Sequence, residues 1–187
     1  MAQKKKKWYK LLSPKIFGSK ELGETISNDP KKLIGRVITV NAKELTSDFK
    51  KSHISIKLAI SKVEEESAQT EINGYIVSRA YIQRFIRKGI SSIEIIQNLL
   101  TSDKQRIRVK CMAIANGNLQ TTKKKLIRDR FGKEFEKMVN NMTLDNLVFI
   151  ATTNKIQKML VTKLKKTHPL RFVEINKISL LDKKKLD

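Results

Sequence analysis

The side chains best suited to catalysis or metal binding in this sequence are two histidines, one cysteine and a run of three glutamates. His53 and His168 lie far apart, and neither stands at the spacing from an acid that a metal site requires. Cys111 falls on the apolar side of a predicted strand, where a small thiol packs in the core rather than acting as a nucleophile. The glutamates at 64–66 are adjacent acids in a turn, which are ordinarily solvated. With no glycine-rich phosphate loop and no nucleophile elbow, the sequence predicts neither an enzyme nor a cofactor or metal site.

The charge of the chain points instead to binding. Its 187 residues include 40 Lys and Arg against 18 Asp and Glu, which gives a net charge of +22. A net charge of about 2 to 8 is ample for the solubility of a small domain, and a larger excess opposes compaction by self-repulsion. We therefore expect a polyanionic partner, either a nucleic acid or an anionic membrane surface.

Several basic segments are candidates for contact with that partner. The lysines at 4–7 precede Trp8, Tyr9 and Lys10, so charge that neutralises phosphates adjoins two rings that could stack on unpaired bases. The alternative, which we favour for the two rings, is that they fold back onto the domain. Arginine suits phosphates and base edges better than lysine because its planar group donates several hydrogen bonds. The candidate RNA-binding residues are Lys4, Lys5, Lys6, Lys7, Trp8, Tyr9, Lys10, Lys15, Arg36, Arg79, Arg106, Arg108, Lys123, Lys124, Lys125, Arg128, Lys165 and Lys166.

Alternating apolar residues predict the strands that must position these side chains. Every second residue is apolar over 54–61, and residues 35–40 and, more weakly, 69–77 are predicted as further strands. Residues 93–99 and 106–111 are predicted to pair as a hairpin across the polar loop 101–105. In the second of these strands Ile107, Val109, Cys111 and Ala113 point one way, and Arg106, Arg108 and Lys110 point the other. A last strand is predicted over 172–178.

Helical periodicity appears in three places. Ser78 is a candidate N-cap for a short helix that ends at Gly89. From about residue 119 a continuous apolar stripe predicts a long helix that Gly132 would kink or split, and the stripe consists of Ile127, Phe131, Phe135, Met138, Val139 and Met142. A third helix near 153–166 would turn inward Ile156, Met159, Leu160 and Leu164.

Together these elements predict an α+β fold, with a curled antiparallel sheet or small β-barrel and helices packed beside it. Residues 1–34 read as a basic, irregular N-terminal arm, because Pro14, Pro30, Gly18 and Gly23 interrupt it. Residues 35–180 are predicted to form a single α+β RNA-binding domain, and residues 181–187 a basic C-terminal tail.

Many residues, none of them specific on its own, occur in an order and spacing that is characteristic of one protein family. They are Trp8-Tyr9, Pro14, Phe17, Leu22-Gly23, Thr25, Leu33, Gly35-Arg36-Val37, Val40, Leu45, Leu58, Val63, Thr70, Gly74, Arg79, Ile93, Arg106, Arg108-Val109, Gln120, Lys125, Ile127-Arg128, Pro169-Leu170 and Val173-Glu174-Ile175. In this order and spacing they resemble the archaeal and eukaryotic small-subunit ribosomal protein family called S-three-Ae, or eS-one. The resemblance spans roughly residues 8 to 177, and the order of many matches carries it rather than any single motif.

The resemblance implies a non-catalytic core protein of the small ribosomal subunit, and hence a cytoplasmic one. It implies a position on the platform, near the mRNA exit site and the 3′ end of the small-subunit ribosomal RNA, with neighbouring platform proteins and mRNA as further partners. It also implies a barrel-like sheet with helices, and the short chain is typical of the archaeal members. One departure concerns the central hairpin, where Ser102-Asp103-Lys104-Gln105 replaces an Asp-Gly-Tyr-like turn and leaves the turn type open.

Three other classes of function compete with this one. A chromatin-associated or other non-ribosomal nucleic-acid-binding protein would bind duplex DNA at least as well as structured RNA, but no recognition-helix motif is present. A nuclease or RNA-modifying enzyme would need clustered carboxylates or a metal site. A membrane-surface protein would pair its lysines with a Trp- and Phe-rich helix face, and no apolar run of about 18 residues predicts a spanning helix. The basic N-terminus lacks the apolar segment of a signal peptide, and we expect no small-molecule substrate.

Overall fold

The computed structural model describes residues 6–165 and 168–181. The strands formed by these residues are β1 (Lys7–Leu12), β2 (Glu21–Ser27), β3 (Val37–Asn41), β4 (Ile54–Glu64), β5 (Ser67–Val77), β6 (Ser91–Leu100), β7 (Arg106–Ala115) and β8 (Leu170–Leu180). The α-helices formed by the same residues are α1 (Ala42–Thr46), α2 (Arg79–Gln83), α3 (Thr121–Val139), α4 (Leu144–Thr152) and α5 (Lys155–Leu164). The chain divides into two compact units, residues 1–74 and 75–187, and the boundary falls inside β5.

The first unit is built on five strands in the order β2-β1-β5-β4-β3. β1 pairs with β2 in the antiparallel direction, whereas Lys10–Leu12 of β1 pair with Ser67–Gln69 of β5 in the parallel direction. β3 and β4 pair in the antiparallel direction, with Val37 opposite Ala59 and Asn41 opposite Ser55. The strands predicted over 35–40, 54–61 and 69–77 are thereby confirmed, and the sheet of this unit is mixed.

The prediction of an irregular N-terminal arm is wrong from residue 7 onward. Lys7–Leu12 and Glu21–Ser27 form paired strands, and the breakers Pro14 and Gly18 lie in the connection between them. Gly18 has a φ of 86°, which ends a 3-10 turn in the left-handed region that glycine adopts without strain. The inward residues Tyr9 and Leu11 join a buried cluster with Leu33, Ile60 and Ala68. Lys4 and Lys5 lie outside the described residues.

The second unit contains the predicted hairpin. β6 and β7 pair antiparallel over their full length, from Ser91 opposite Ala115 to Leu100 opposite Arg106. The loop closes where the Thr101 amide donates to the Gln105 carbonyl at 3.1 Å. β8 pairs antiparallel with the other edge of β7, which confirms the last predicted strand.

Two irregularities interrupt the pairing of β8 with β7. Ala115 lies opposite Leu170 and Ile114 opposite Phe172, so Arg171 is an extra residue between them. In the same way Asn176 is extra, because Lys110 pairs with Lys177 and Cys111 with Ile175. Such bulges bend a strand and turn the side chain of the extra residue away from the regular alternation.

The predicted α+β class is confirmed, but the expectation of a curled antiparallel sheet or small barrel is wrong in two respects. The pairing of β1 with β5 is parallel, and the strand pairings of the described residues do not close. β2 and β3 each pair with one strand in the first unit, and β6 pairs with one strand in the second. The spacing of strands along the sequence does not specify which strand edges pair. In addition, β1, the parallel partner of β5, lies in the segment 1–34, which was expected to be irregular.

The helices of the second unit pack beside its sheet, as predicted. α3 contacts β6 and buries Ile127, Phe131 and Phe135. It is a single helix despite Gly132, which is buried against β6, where a Cβ would collide with the Gln97 side chain. The helix ends at Val139, before the last residue of the predicted stripe.

α4 was not predicted, and α5 differs in its buried face. α4 begins at Thr143, whose hydroxyl accepts a hydrogen bond from the Asn146 amide at 3.3 Å. Met159 of α5 was expected to face inward but is 47% exposed. Gln157 is buried instead, because its amide nitrogen donates to the Ala151 carbonyl at 3.0 Å and to Glu174 Oε1 at 3.2 Å. The predicted helix at 78–89 is also shorter than expected and ends at Gln83.

Candidate nucleic-acid interface

A basic surface lies on one end of the outward face of the second unit's sheet. On β7, Arg106, Arg108 and Lys110 are exposed while Ile107 and Val109 between them are buried, so the predicted alternation is confirmed. Strand residues two apart lie about 7 Å apart on one face. The three cations therefore form a row about 14 Å long.

The neighbouring strands extend this row sideways. The register places Lys177 of β8 opposite Lys110, and both side chains are exposed. Ser179 and Asn98 lie opposite Arg108 on either side. The Arg108 Nε donates to Asn98 Oδ1 at 2.9 Å, which fixes the direction of the guanidinium along the sheet. We call Arg106, Arg108, Lys110 and Lys177 the cationic sheet face.

The four side chains of the cationic sheet face take part in no ion pair among the described residues. The exposed Glu94 of β6 lies on the same face, opposite Met112, and forms no ion pair with them. Like charges directly opposite each other, as Lys110 and Lys177 are, destabilise a sheet. Ile96 and Leu100 of β6, 56% and 49% exposed, border the same face and offer apolar contact beside the charge. An elongated anion with apolar parts, such as an RNA strand, matches this surface chemically.

The first turns of α3 carry a second group of predicted residues. Lys123, Lys125 and Arg128 are exposed and Lys124 is half-buried. The Arg128 Nε donates to the Glu94 carbonyl of β6 at 3.2 Å, so this arginine lies along the outer edge of the hairpin.

Further along α3 the balance of charge is different. The Glu134 carboxylate lies 3.7 Å from the Lys137 ammonium and 3.2 Å from that of Lys163. The hydrogen bond from Lys163 lowers the pKa of Glu134. The uncompensated charge of α3 is thus concentrated in its N-terminal half.

In the first unit, the residues predicted on β1 divide between surface and core. Trp8 is 62% exposed and lies opposite Ile26 of β2, whereas Tyr9 is 3% exposed and packs in the core. Tyr9 therefore has no ring face on which a base could stack, and the alternative of a folded-back ring holds for Tyr9 but not for Trp8. The Lys10 ammonium lies 3.3 Å from Glu21, which partly satisfies its charge.

The remaining predicted residues are exposed but scattered. Lys6, Lys7 and Lys15 project from the first unit, where Arg36 donates to the Thr25 hydroxyl at 2.7 Å. In the second unit Arg79 begins α2 and Lys165 follows α5. Lys166 lies outside the described residues, as do Lys4 and Lys5.

The sequence prediction missed two members of the cationic sheet face. Lys110 continues the alternation of Arg106 and Arg108, so the pattern itself was a sufficient signal. Lys177 joins them through the register of β8, and the bulge at Asn176 shifts that register by one residue. No sequence pattern predicts such a bulge.

Other chemistry is sparse in the part of the chain that the structure describes. It contains no group of three or more metal-ligating side chains and no helix long and apolar enough to cross a membrane. Cys111 is buried as predicted, and burial followed by the nearby Glu174 raises the pKa of its thiol. Such a thiol is a poor nucleophile.

Comparison with known proteins identifies one family. The sequence pattern of the ribosomal S3Ae family matches residues 2–184. The small ribosomal subunit protein eS1 of Staphylothermus marinus is 33% identical over 178 residues, which cover 95% of this chain and 84% of that protein. The protein of the same name from Methanothermobacter thermautotrophicus is 32% identical over 179 residues, which cover 96% of this chain and 92% of that protein. The similarity therefore extends over nearly the whole chain.

Proposed function

This chain belongs to the ribosomal S3Ae family, and from that premise we propose that it is a structural constituent of the small ribosomal subunit that binds ribosomal RNA. The resemblance found in the sequence is confirmed by the family match. The relatives named above are ribosomal proteins, so the role proposed here is scaffolding rather than catalysis.

The cationic sheet face is the observation that supports RNA as the ligand. A flat, extended row of cations without ion-pair partners among the described residues is suited to phosphates spaced along a strand. Neutralising those phosphates releases condensed counterions, which supplies sequence-independent affinity. Exposed Ile96 and Leu100 add apolar contact to sugars or unpaired bases.

The first turns of α3 and the exposed part of β1 extend the proposed interface. Lys123, Lys124, Lys125 and Arg128 supply charge along the helix, and Trp8 offers a ring for a base to stack on. Phosphate contacts fix position and carry little sequence information. Specificity would therefore come from the tertiary shape of the RNA, as is usual for proteins that bind folded RNA.

The family resemblance also supports a location. We place the protein on the platform of the small subunit, near the mRNA exit site and the 3′ end of the small-subunit ribosomal RNA. Its partners there would be that RNA, the neighbouring platform proteins and mRNA near the exit site.

Sedimentation of a cell lysate tests membership of the subunit. Low magnesium separates the two subunits, and a moderate-salt wash removes loosely bound proteins. We expect near-stoichiometric co-migration with the small subunit that survives the wash. Recovery with chromatin, or free at the top of the gradient, would refute the proposal and favour a non-ribosomal nucleic-acid-binding protein.

A further inference from the structure

A second basic cluster of the second unit consists of residues that the sequence analysis did not single out. Arg84, Arg87 and Arg171 line a cavity of about 320 Å³ together with Phe85. This volume is at the lower end of the range for small-ligand sites. Residues 78–90 contain no Asp or Glu, and no ion pair of the described residues involves the three arginines. We call these three residues the arginine pocket.

Aromatic contacts fix the position of the segment that follows α2. The Phe85 ring stacks on the Phe172 ring of β8, with 4.4 Å between centroids and 23° between planes. Tyr81 meets Phe85 edge to face at 5.2 Å. The Arg84 guanidinium carbon lies 5.1 Å above the Tyr81 ring, a cation–π contact that orients the side chain.

The third arginine reaches the cavity through a backbone irregularity. Arg171 is the extra residue of the bulge between Leu170 and Phe172, so it does not follow the alternation of β8. A bulge is a common device for redirecting a single side chain at a functional site. The arginines thus come together through two separate features, the aromatic stack and the bulge, in chain segments far apart in sequence.

Three clustered guanidinium groups repel each other unless an anion lies between them. We propose that the arginine pocket binds one phosphate group of the RNA backbone, an inference that rests on the proposed function. A phosphate presents oxygens in several directions and can accept hydrogen bonds from three guanidinium groups at once. A carboxylate has two oxygens in one plane and is well matched by one or two such groups. A backbone phosphate therefore fits better than an acidic side chain of a protein partner.

Salt dependence of RNA binding tests whether the three arginines share one phosphate. Each neutralised phosphate contributes roughly 0.7 to 0.9 to the slope of log affinity against log salt. The triple variant Arg84→Gln, Arg87→Gln, Arg171→Gln should lower the salt slope for cognate small-subunit ribosomal RNA by about one. At about 0.15 M salt its affinity for that RNA should be about fivefold weaker than that of the wild type. A slope change near three would mean three scattered contacts, and no change would mean none. Either result overturns the proposal.

A charge-matched control separates the pocket from general electrostatics. Lys43, Lys50 and Lys62 are exposed residues of the first unit that belong to none of the proposed contact surfaces. The triple variant Lys43→Gln, Lys50→Gln, Lys62→Gln should leave the salt slope unchanged. Circular dichroism and thermal unfolding of each variant verify that it is folded.

A conservative variant tests the role of the planar guanidinium group. Replacing the three arginines by lysine keeps the charge and the slope but should weaken binding measurably, by less than the glutamine variant does, because the planar set of charge-assisted hydrogen bonds is lost. Unchanged affinity in this variant would contradict the proposed geometry.

Two outcomes distinguish a failure of the phosphate proposal from a failure of the proposed function. Failure of the wild-type protein to bind structured RNA would remove the proposed function itself. Wild-type RNA binding that the glutamine variant retains in full, with loss of that variant from assembled subunits, would overturn only the phosphate proposal and assign the pocket to an acidic protein partner.

Discussion

Removing the charge of β7 should weaken RNA binding without unfolding the protein. The triple variant Arg106→Gln, Arg108→Gln, Lys110→Gln replaces three exposed side chains on a strand whose inward residues are untouched. Among the side-chain hydrogen bonds of the described residues, it removes the exposed one from Arg108 to Asn98. Such a bond contributes about 1 kcal/mol or less, so we expect nearly unchanged thermal stability.

The size of the effect on binding follows from the spacing of the row. The Cα atoms of successive residues in this row lie about 7 Å apart, so each side chain can reach a different phosphate. Three separate contacts contribute about two to three to the salt slope. Extrapolated from 1 M to about 0.15 M salt, each contact contributes about fivefold in affinity, and the three together about a hundredfold.

Filter binding to cognate small-subunit ribosomal RNA, from about 0.05 to about 0.2 M salt, measures both quantities. The Lys43, Lys50 and Lys62 triple variant is again the matched control, because it removes the same charge from the first unit. An unchanged slope in the β7 variant would refute the assignment of the cationic sheet face. An equal fall in the control would show that binding follows net charge and not this surface.

Three further predictions concern the core of the second unit. Burial raises the pKa of Glu174, so the native state retains its proton to higher pH than the unfolded chain does. The free energy of unfolding should therefore fall as pH rises from about 4.3, the unfolded value, through the native pKa, and Glu174→Gln should remove this fall in urea titrations. Because Cys111 is buried with a raised pKa, a thiol reagent at about pH 8 should label the unfolded chain but not the native protein. Phe131 is fully buried beside Phe135, so Phe131→Ala should lower the free energy of unfolding by about 3 to 5 kcal/mol in denaturant titrations.

The parts of the fold that depend on local alternation could be predicted from sequence. β7 shows this most clearly, since hydrophobic and basic residues alternate along it and the loop at 101–105 sets its pairing with β6. The same pattern placed Arg106 and Arg108 on the outward face. The apolar stripe of α3 was equally informative, because Ile127, Phe131 and Phe135 recur at helical spacing.

The parts that depend on distant segments could not be predicted. Pro14 and Gly18 disfavour regular structure locally, yet β1 forms because β2 and β5 pair with its two edges. Gln157 of α5 is buried although its side chain is polar, because Glu174, on another element, accepts its hydrogen bond. Arg171 joins Arg84 and Arg87 only through a bulge in β8, which depends on pairing with β7.

Mapping RNA–protein crosslinks in purified small subunits tests the central claim most directly. Ultraviolet irradiation followed by mass spectrometry identifies the peptides of this protein that contact ribosomal RNA. We predict crosslinked peptides that contain β7 and the first turns of α3. RNA crosslinks to this protein in the same subunits, with none in the peptides of β7 or α3, would contradict the claim that these basic surfaces bind the RNA.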